Sequence, residues 1–325
     1  MTRKNELKAY ENWTLGKIKQ RIEALYIAGG IKNVLSHIYK YFRVRLAYSK
    51  LRLHLLHKLA FEFKYGSGIY VTEEDWDNLI ILDACRYDIF EKYSRFAGAS
   101  TTRVISQGCW SFEWQKNNFV GKSLHDTIYI TANHYSERIP NETFFKTVNS
   151  LMSDDGIHPS VVNRLAKRAH KQHPDKKLIV HFMQPHTPHY SKYTSNQQTD
   201  IWELYLNGEI SKSQLVDSYV QNLHFVEDHV EDLLNNLEGK TIITSDHGEN
   251  LGEIGFNHAM WTGDFGLNKP LLGHGFQTPE CRFVPWCELD FNSRRQTTSS
   301  QPITRGGDHG EIVRDNLRKL GYLKD

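Results

Sequence analysis

The chain has 325 residues, of which 39% are hydrophobic and 24% charged, with a formal net charge of +2. That length and apolar content suffice for one large core, or for one domain with an appendage, and exclude a disordered chain. Cysteines at 85, 109, 281 and 287 form no CxxC pair, which excludes a disulfide-stapled secreted scaffold and fits a reducing compartment.

The charge is unevenly placed. Residues 1–70 carry fourteen Lys/Arg against four Glu, so the remainder is mildly acidic. From Trp13 to Lys64 the apolar spacing is helical (Ile18, Ile22, Leu25, then Leu46, Leu53, Leu56, Ala60 and Phe63), with a break at Gly29-Gly30. Arg43, Arg45, Lys50, Arg52 and Lys58 interleave with these positions. That is the composition of a helix lying on an anionic membrane surface, and equally of a helical extension packed on a main domain with a solvated basic face. Residues 1–68 are expected to form this basic amphipathic extension, closed by Gly66-Ser67-Gly68, with residues 69–325 forming the main domain. The opening MTRKNELKAYENW lacks the apolar core of a signal peptide, and no apolar run reaches the roughly 20 residues that span a bilayer. A cytoplasmic location is expected, with peripheral attachment at the inner membrane face. Nucleic acid is not an expected partner, because the basic excess is confined to the N-terminal helices and no recognised module follows.

Further along, Asn78-Leu-Ile-Ile-Leu-Asp83 is a short apolar run ending in an acid, the way a buried parallel strand delivers a carboxylate to its C-terminal edge. Leu178-Ile-Val-His181-Phe-Met ends in Gln184-Pro-His186, and Thr241-Ile-Ile-Thr-Ser245 ends in Asp246-His247-Gly248-Glu249. Helical patterns at Val161–His173 and Lys212–Leu237 lie between them. The alternation predicts an α/β fold: a doubly wound, mainly parallel sheet sandwiched by helices, with ligands beyond the strand C-termini. The Ser/Thr/Arg/Gly-rich stretch Asn292–Gly307 reads as a surface loop.

Asp83, Asp246 and His247 would then converge at one rim as hard oxygen and imidazole ligands for a divalent metal. Each alone has a plainer reading, an Asp after a strand being often a helix cap; the three together outline a metal site.

The strings Leu82-Asp83-Ala-Cys-Arg86-Tyr-Asp88, Met183-Gln-Pro-His186-Thr-Pro, Thr244-Ser245-Asp246-His247-Gly248-Glu249-Asn-Leu-Gly252-Glu253 and Gly273-His274-Gly-Phe-Gln-Thr-Pro occur in the order found in sulfatase-like proteins. Over about residues 76–290 the chain resembles the sulfatase-like branch of the alkaline phosphatase superfamily. The resemblance implies metal ligation by Asp83, Asp246 and His247. It also implies that His186 and His274 contact the transferred group or protonate the leaving group, with His258 competing with His274. Family members place a nucleophile on the metal at a helix N-terminus. Here the matching region puts Cys109 at that position, as nucleophile and metal ligand, with Ser111 two residues on as the alternative. Cys109 lacks the C-x-P-x-R context in which true sulfatases oxidise a cysteine. Arg86, His181 and His258 are expected among the substrate contacts, although Arg86 pairs as readily with Asp88, and Trp110, Trp114 and Trp261 offer stacking surfaces. One divalent ion (Zn, Mn, Mg or Ca) is expected rather than two. The implied activity is hydrolysis of phosphate or sulfate esters through a covalent intermediate, with a glycan- or lipid-linked substrate in view. A phospho-group transferase and a catalytically inactive scaffold are the alternatives.

Overall fold

A computed structural model describes residues 54–98, 100–153, 156–194, 200–254 and 270–303. The chain divides into two compact units, Met1–Tyr65 and Gly66–Asp325. Of the first, residues 54–65 are described, and they are helical; the remaining N-terminal helical pattern, with Arg43, Arg45, Lys50 and Arg52, lies outside the described residues.

The second unit is built on a seven-stranded sheet. In chain order its strands are β1 (Asn78–Leu82), β2 (Ser100–Ile105), β3 (Leu124–Thr131), β4 (Phe144–Asn149), β5 (Lys177–Phe182), β6 (Thr241–Thr244) and, after the small β7–β8 ribbon (Asn250–Ile254 and Pro270–Gly273), β9 (Phe283–Glu288). The spatial order is β2-β9-β6-β1-β5-β3-β4. Strands β6, β1, β5, β3 and β4 pair in parallel, and β9 runs antiparallel to both its neighbours. The α/β reading from sequence therefore describes the observed fold, with one antiparallel strand added.

All five residues of β1 are buried, and they alternate between two apolar layers. Ile80 and Leu82 join Ile130, Val180 and Ile243 on one face, covered by helices α1 (Tyr87–Tyr93), α3 (Pro159–Gln172) and α5 (Lys212–Leu234). Leu79 and Ile81 join Tyr129, Ile179 and Ile242 on the other, covered by Trp114 and Phe119 of α2 (Ser111–Phe119) and by Trp76. Burial on both faces is why β1, β5 and β6 read as unbroken apolar runs rather than as alternating ones. Tyr219, Leu223, Val226, Val230 and Leu233 repeat at three- and four-residue steps along α5, giving it one continuous apolar face. Its start is fixed by a capping box between Ser211 and Gln214.

The pairing register aligns the strand ends. Leu82 lies opposite Phe182, and Ile81 opposite both His181 and Thr244, so the residues that follow β1, β5 and β6 emerge together at one rim. The opposite rim is fastened by the irregular segment 290–303. Arg294 forks onto Asp75 (2.8 and 2.8 Å) and also reaches Asp77 (2.8 Å), while Arg295 donates to the Asp77 carbonyl (2.8 Å). Buried Lys176 donates to the Thr298 carbonyl (2.7 Å) and the Ser300 hydroxyl (3.0 Å), and the Ile303 amide donates to the Phe145 carbonyl (2.7 Å). Within the stretch expected as a surface loop, the described residues 292–303 are mostly exposed, yet they are tied to the starts of β1, β5 and β4.

Burial alone would raise the Asp77 carboxyl, but hydrogen bonds from Arg294 and from the backbone N–H groups of Lys240 and Arg295 hold it below its ordinary value. A depressed carboxylate contributes stability above its unfolded value near about 4, and that contribution disappears as pH falls through the folded value. Asp77→Ala is expected to cost about 2 kcal/mol in urea unfolding at pH 7, between the scale of exposed and of buried pairs. The gap between variant and parent should narrow as the titration is taken below about pH 4.

Candidate active site

Asp83 continues the β1–β5 pairing, its N–H donating to the Phe182 carbonyl at 3.1 Å. The next residue, Ala84, takes a left-handed φ of 63°. Only a residue held by its surroundings stays there. The turn is held from several sides: the Ala84 N–H donates to Asp246 Oδ1 (3.1 Å), the Cys85 N–H to Ser245 Oγ (2.8 Å), and the Tyr219 hydroxyl to the Ala84 carbonyl (2.5 Å). After β6, a Cβ on Gly248 would lie 2.0 Å from the Glu280 carbonyl oxygen, so only glycine lets the chain pass there.

These turns bring four buried side chains together: Asp83, Asp246, His247 and His181, each 1% exposed or less. His247 Nδ1 donates to the Gly248 carbonyl (2.8 Å), which turns Nε2 to the acids, 3.5 Å from Asp83 Oδ1 and 3.5 Å from Asp246 Oδ2. Nε2 of His181 stands 3.4 Å from Asp83 Oδ2 and 3.7 Å from Asp246 Oδ2, with its Nδ1 2.9 Å from the Tyr129 hydroxyl. Asp83 Oδ1, Asp246 Oδ2 and His181 Nε2 have no hydrogen-bond partner. Buried polar atoms left so cost about 1–3 kcal/mol each, and ionised ones more. Burial opposes ionisation of Asp83, but His181, His186 and His247 hold its carboxyl well below the usual range. Asp83, Asp246 and His247 present ligand atoms within 4.8 Å of one another. Two unpaired carboxylate oxygens converging with the His247 imidazole nitrogen fit a divalent cation.

Ser111 opens α2 beside this group. Its Oγ donates to Asp83 Oδ2 (3.3 Å) and lies 3.2 Å from His247 Nε2, where the free N–H groups and dipole of a helix start favour an anion. Cys109 is not brought there. Its Sγ is fully buried against Glu113 Oε2 (3.4 Å) and Gln277 Nε2 (3.2 Å), and burial, reinforced by the Glu113 charge, pushes the thiol well above its ordinary value.

A second group adjoins the first. His186, Glu249 and His274 also present ligand atoms within 4.8 Å of one another, and the His274 ring centroid is 5.1 Å from His186 and 4.6 Å from His247. Burial works against a charge on His274, but the Glu249 carboxylate, 3.1 Å from its Nδ1, raises it to about 9. His274 is therefore cationic at neutral pH. The loop carrying His186 is gripped by Asn222, whose Nδ2 donates to the Pro185 (3.0 Å) and His186 (3.1 Å) carbonyls.

Other expectations resolve differently. The Arg86 guanidinium is occupied by Asp88 (2.9 and 2.7 Å) and Glu253 (2.7 Å), a structural arrangement rather than an open substrate contact. His181 is enclosed among the carboxylates rather than open to substrate, and Trp114 is 1% exposed within the core. His258 and Trp261 lie outside the described residues. Sequence reasoning assigned no role to Asn133, Glu249 or Asn222. Asn133 donates to Asp83 Oδ2 (2.8 Å) and accepts from the Tyr135 N–H (3.0 Å), and no sequence signal marks it. Glu249 was visible within the motif after Asp246-His247.

A family model described as Sulfatase matches residues 97–283, more than half of the chain. Among curated proteins no sequence match was found. Similar solved structures include the soluble domain of lipooligosaccharide phosphoethanolamine transferase A from Neisseria meningitidis, at 14% identity and TM-score 0.42, covering 64% of this chain and 75% of that one. Another is the C-terminal periplasmic domain of phosphoethanolamine transferase EptC from Campylobacter jejuni (14% identity, TM-score 0.45, 65% of this chain and 78% of that one). The integral membrane form of the Neisseria enzyme matches at 14% identity and TM-score 0.44 over 65% of this chain, which spans 47% of its length. The cytoplasmic placement expected from the sequence is corrected by the Campylobacter jejuni neighbour, a periplasmic domain. Among the described residues no helix is long and apolar enough to cross a membrane. The family match is decisive on its own: the chain belongs to the sulfatase family, in the sulfatase-like alkaline phosphatase superfamily, and is an enzyme of phosphorus or sulfur esters.

Proposed function

We propose that this enzyme is a metal-dependent hydrolase of phosphate or sulfate esters that works through a covalent ester on Ser111. The observation that carries the reading is the Ser111 hydroxyl at a helix start, within 3.3 Å of Asp83 and 3.2 Å of His247. A divalent cation held by Asp83, Asp246 and His247 would supply the charge that acidifies this hydroxyl and neutralises an ester oxygen. Acidified in this way, the Ser111 hydroxyl gives up its proton to solvent, and Oγ takes one back when the ester is later cleaved. Oγ then bonds to phosphorus or sulfur, and the bond to the leaving oxygen breaks. Cationic His274, steadied by Glu249, donates a proton to that oxygen. The neutral imidazole left behind takes a proton from the incoming water as the Ser111 ester is cleaved. An acceptor alcohol in place of water makes the same residues a transferase, the activity named for the solved phosphoethanolamine transferases.

The partner surface follows from the first unit. Its described helix leaves Leu55, Leu56, Leu59 and Phe63 from 54% to 95% exposed. These apolar residues, in a segment rich in Lys and Arg, support binding to an anionic membrane surface.

Chelation is expected to abolish turnover of 4-nitrophenyl phosphate or sulfate, and re-addition of Zn, Mn, Mg or Ca to restore it. Asp246→Ala and His247→Ala should lose bound metal by elemental analysis. Ser111→Ala should lower kcat by about a thousandfold or more, the scale of a lost nucleophile, whereas Cys109→Ala stays within about threefold; the reverse pattern moves the nucleophile to Cys109. His274→Ala should slow esters of alkyl alcohols by about a hundredfold or more, and 4-nitrophenyl esters far less, since a good leaving group needs no proton. Leu59→Asp with Phe63→Asp should remove co-sedimentation with phosphatidylglycerol vesicles while leaving turnover of soluble esters unchanged.

A further inference from the structure

The two residues that flank Ser111 in the chain, Trp110 and Phe112, are half-buried aromatics, and they are not packed into the core with Trp114. They meet a third ring, Tyr135, at centroid distances of 5.6 Å from Trp110 and 5.6 Å from Phe112. Tyr135 belongs to the short 3-10 turn His134–Arg138, and the His134 ring lies 4.0 Å from it. The turn is anchored to the site by one side chain: Asn133 donates to Asp83 through one end of its amide and accepts the Tyr135 N–H through the other. The rings therefore stand beside Ser111, two of them as its chain neighbours and the third tied to Asp83 through Asn133.

A cation crowns this wall. The exposed Arg138 guanidinium lies 4.9 Å from the Phe112 ring centre and 5.1 Å from that of Tyr135. Among the described residues Arg138 has no carboxylate partner, in contrast to Arg86, Arg95 and Arg294, each of which is paired with acids. Stacking on two rings holds the planar fork in place and costs it none of its five donors. A prepositioned, unneutralised guanidinium beside flat apolar faces is a receptor for a ring that bears an anion.

We infer that Trp110, Phe112, Tyr135 and Arg138 form a subsite for the organic part of the substrate, and that Arg138 selects esters whose ring carries a second anionic group. The inference rests on the reading of Ser111 as nucleophile. The ring can come from an aryl group or from a sugar, since both present flat C–H or π surfaces to aromatic side chains.

The test uses matched pairs that differ only in the second anion: phenyl phosphate against 4-carboxyphenyl phosphate, and glucose 6-phosphate against glucose 1,6-bisphosphate. Affinity is read by tryptophan fluorescence titration of the zinc-loaded full chain carrying Ser111→Ala, with and without Arg138→Ala or Arg138→Lys. Turnover of the same compounds is read with Ser111 intact. The second anion should tighten binding about tenfold with Arg138 present, the scale of a charge-assisted hydrogen bond. Arg138→Ala should erase that advantage and leave the singly anionic compounds unchanged, and Arg138→Lys should restore part of it. A gain confined to the aryl pair or to the sugar pair identifies the ring. Equal affinity ratios with and without Arg138 overturn the inference, whatever the turnover. Absence of turnover in every compound instead overturns the ester reading, and the affinity ratios still decide the role of Arg138.

Discussion

Two carboxylates, Asp83 and Asp246, are buried side by side with one oxygen of each left unpaired, and the rest of the rim is organised around that repulsion. At separations under 5 Å and the effective dielectric typical of proteins, two such charges repel by roughly 3–4 kcal/mol. The fold maintains the arrangement by fixing the outer oxygens: Asp246 Oδ1 accepts from two backbone N–H groups, and Asp83 Oδ2 from Asn133 and Ser111. Both inner oxygens are left to point at the same place. Even the left-handed turn at Ala84 serves this end, since it aims the amide that Asp246 accepts.

Around the carboxylates, the histidines divide into two kinds according to what sits behind them. His247 has its Nδ1 on the Gly248 carbonyl and turns Nε2 to the two acids, whereas His274 faces the Glu249 carboxylate, whose charge raises it. Similar side chains a ring's width apart thus face different partners, one suited to a cation and one to a leaving oxygen. His181 is walled in by Tyr129 and Trp114 and also faces the acids.

Much of this was legible in the sequence wherever the fold buries a strand on both faces. β1, β5 and β6 announce themselves as apolar runs, and the acids at their ends follow from that. β2 was not legible, because its Ser100, Thr102 and Arg103 are solvated, nor was β9, which carries Pro285 inside a strand. The choice between Cys109 and Ser111 could not be made from spacing, since two residues of separation at a loop-to-helix junction do not say which side chain the first helical turn will aim at the acids. In the structure Cys109 is held by Glu113 and Gln277, the latter from 168 residues away. Asn133 was invisible for a related reason: its importance lies in what it touches, and neither Asp83 nor Tyr135 is marked by any local pattern around it.

The fastening of the far rim carries a consequence for how the chain assembles. Asp77 immediately precedes the first strand of the sheet, and its partner Arg294 lies 217 residues later. During synthesis the Arg294 clasp on Asp77 can close only after every strand of the sheet has been made. Closing so long a loop is slow, and the rim that holds the acids is itself tied across about as much chain, Ala84 to Asp246 being 162 residues apart.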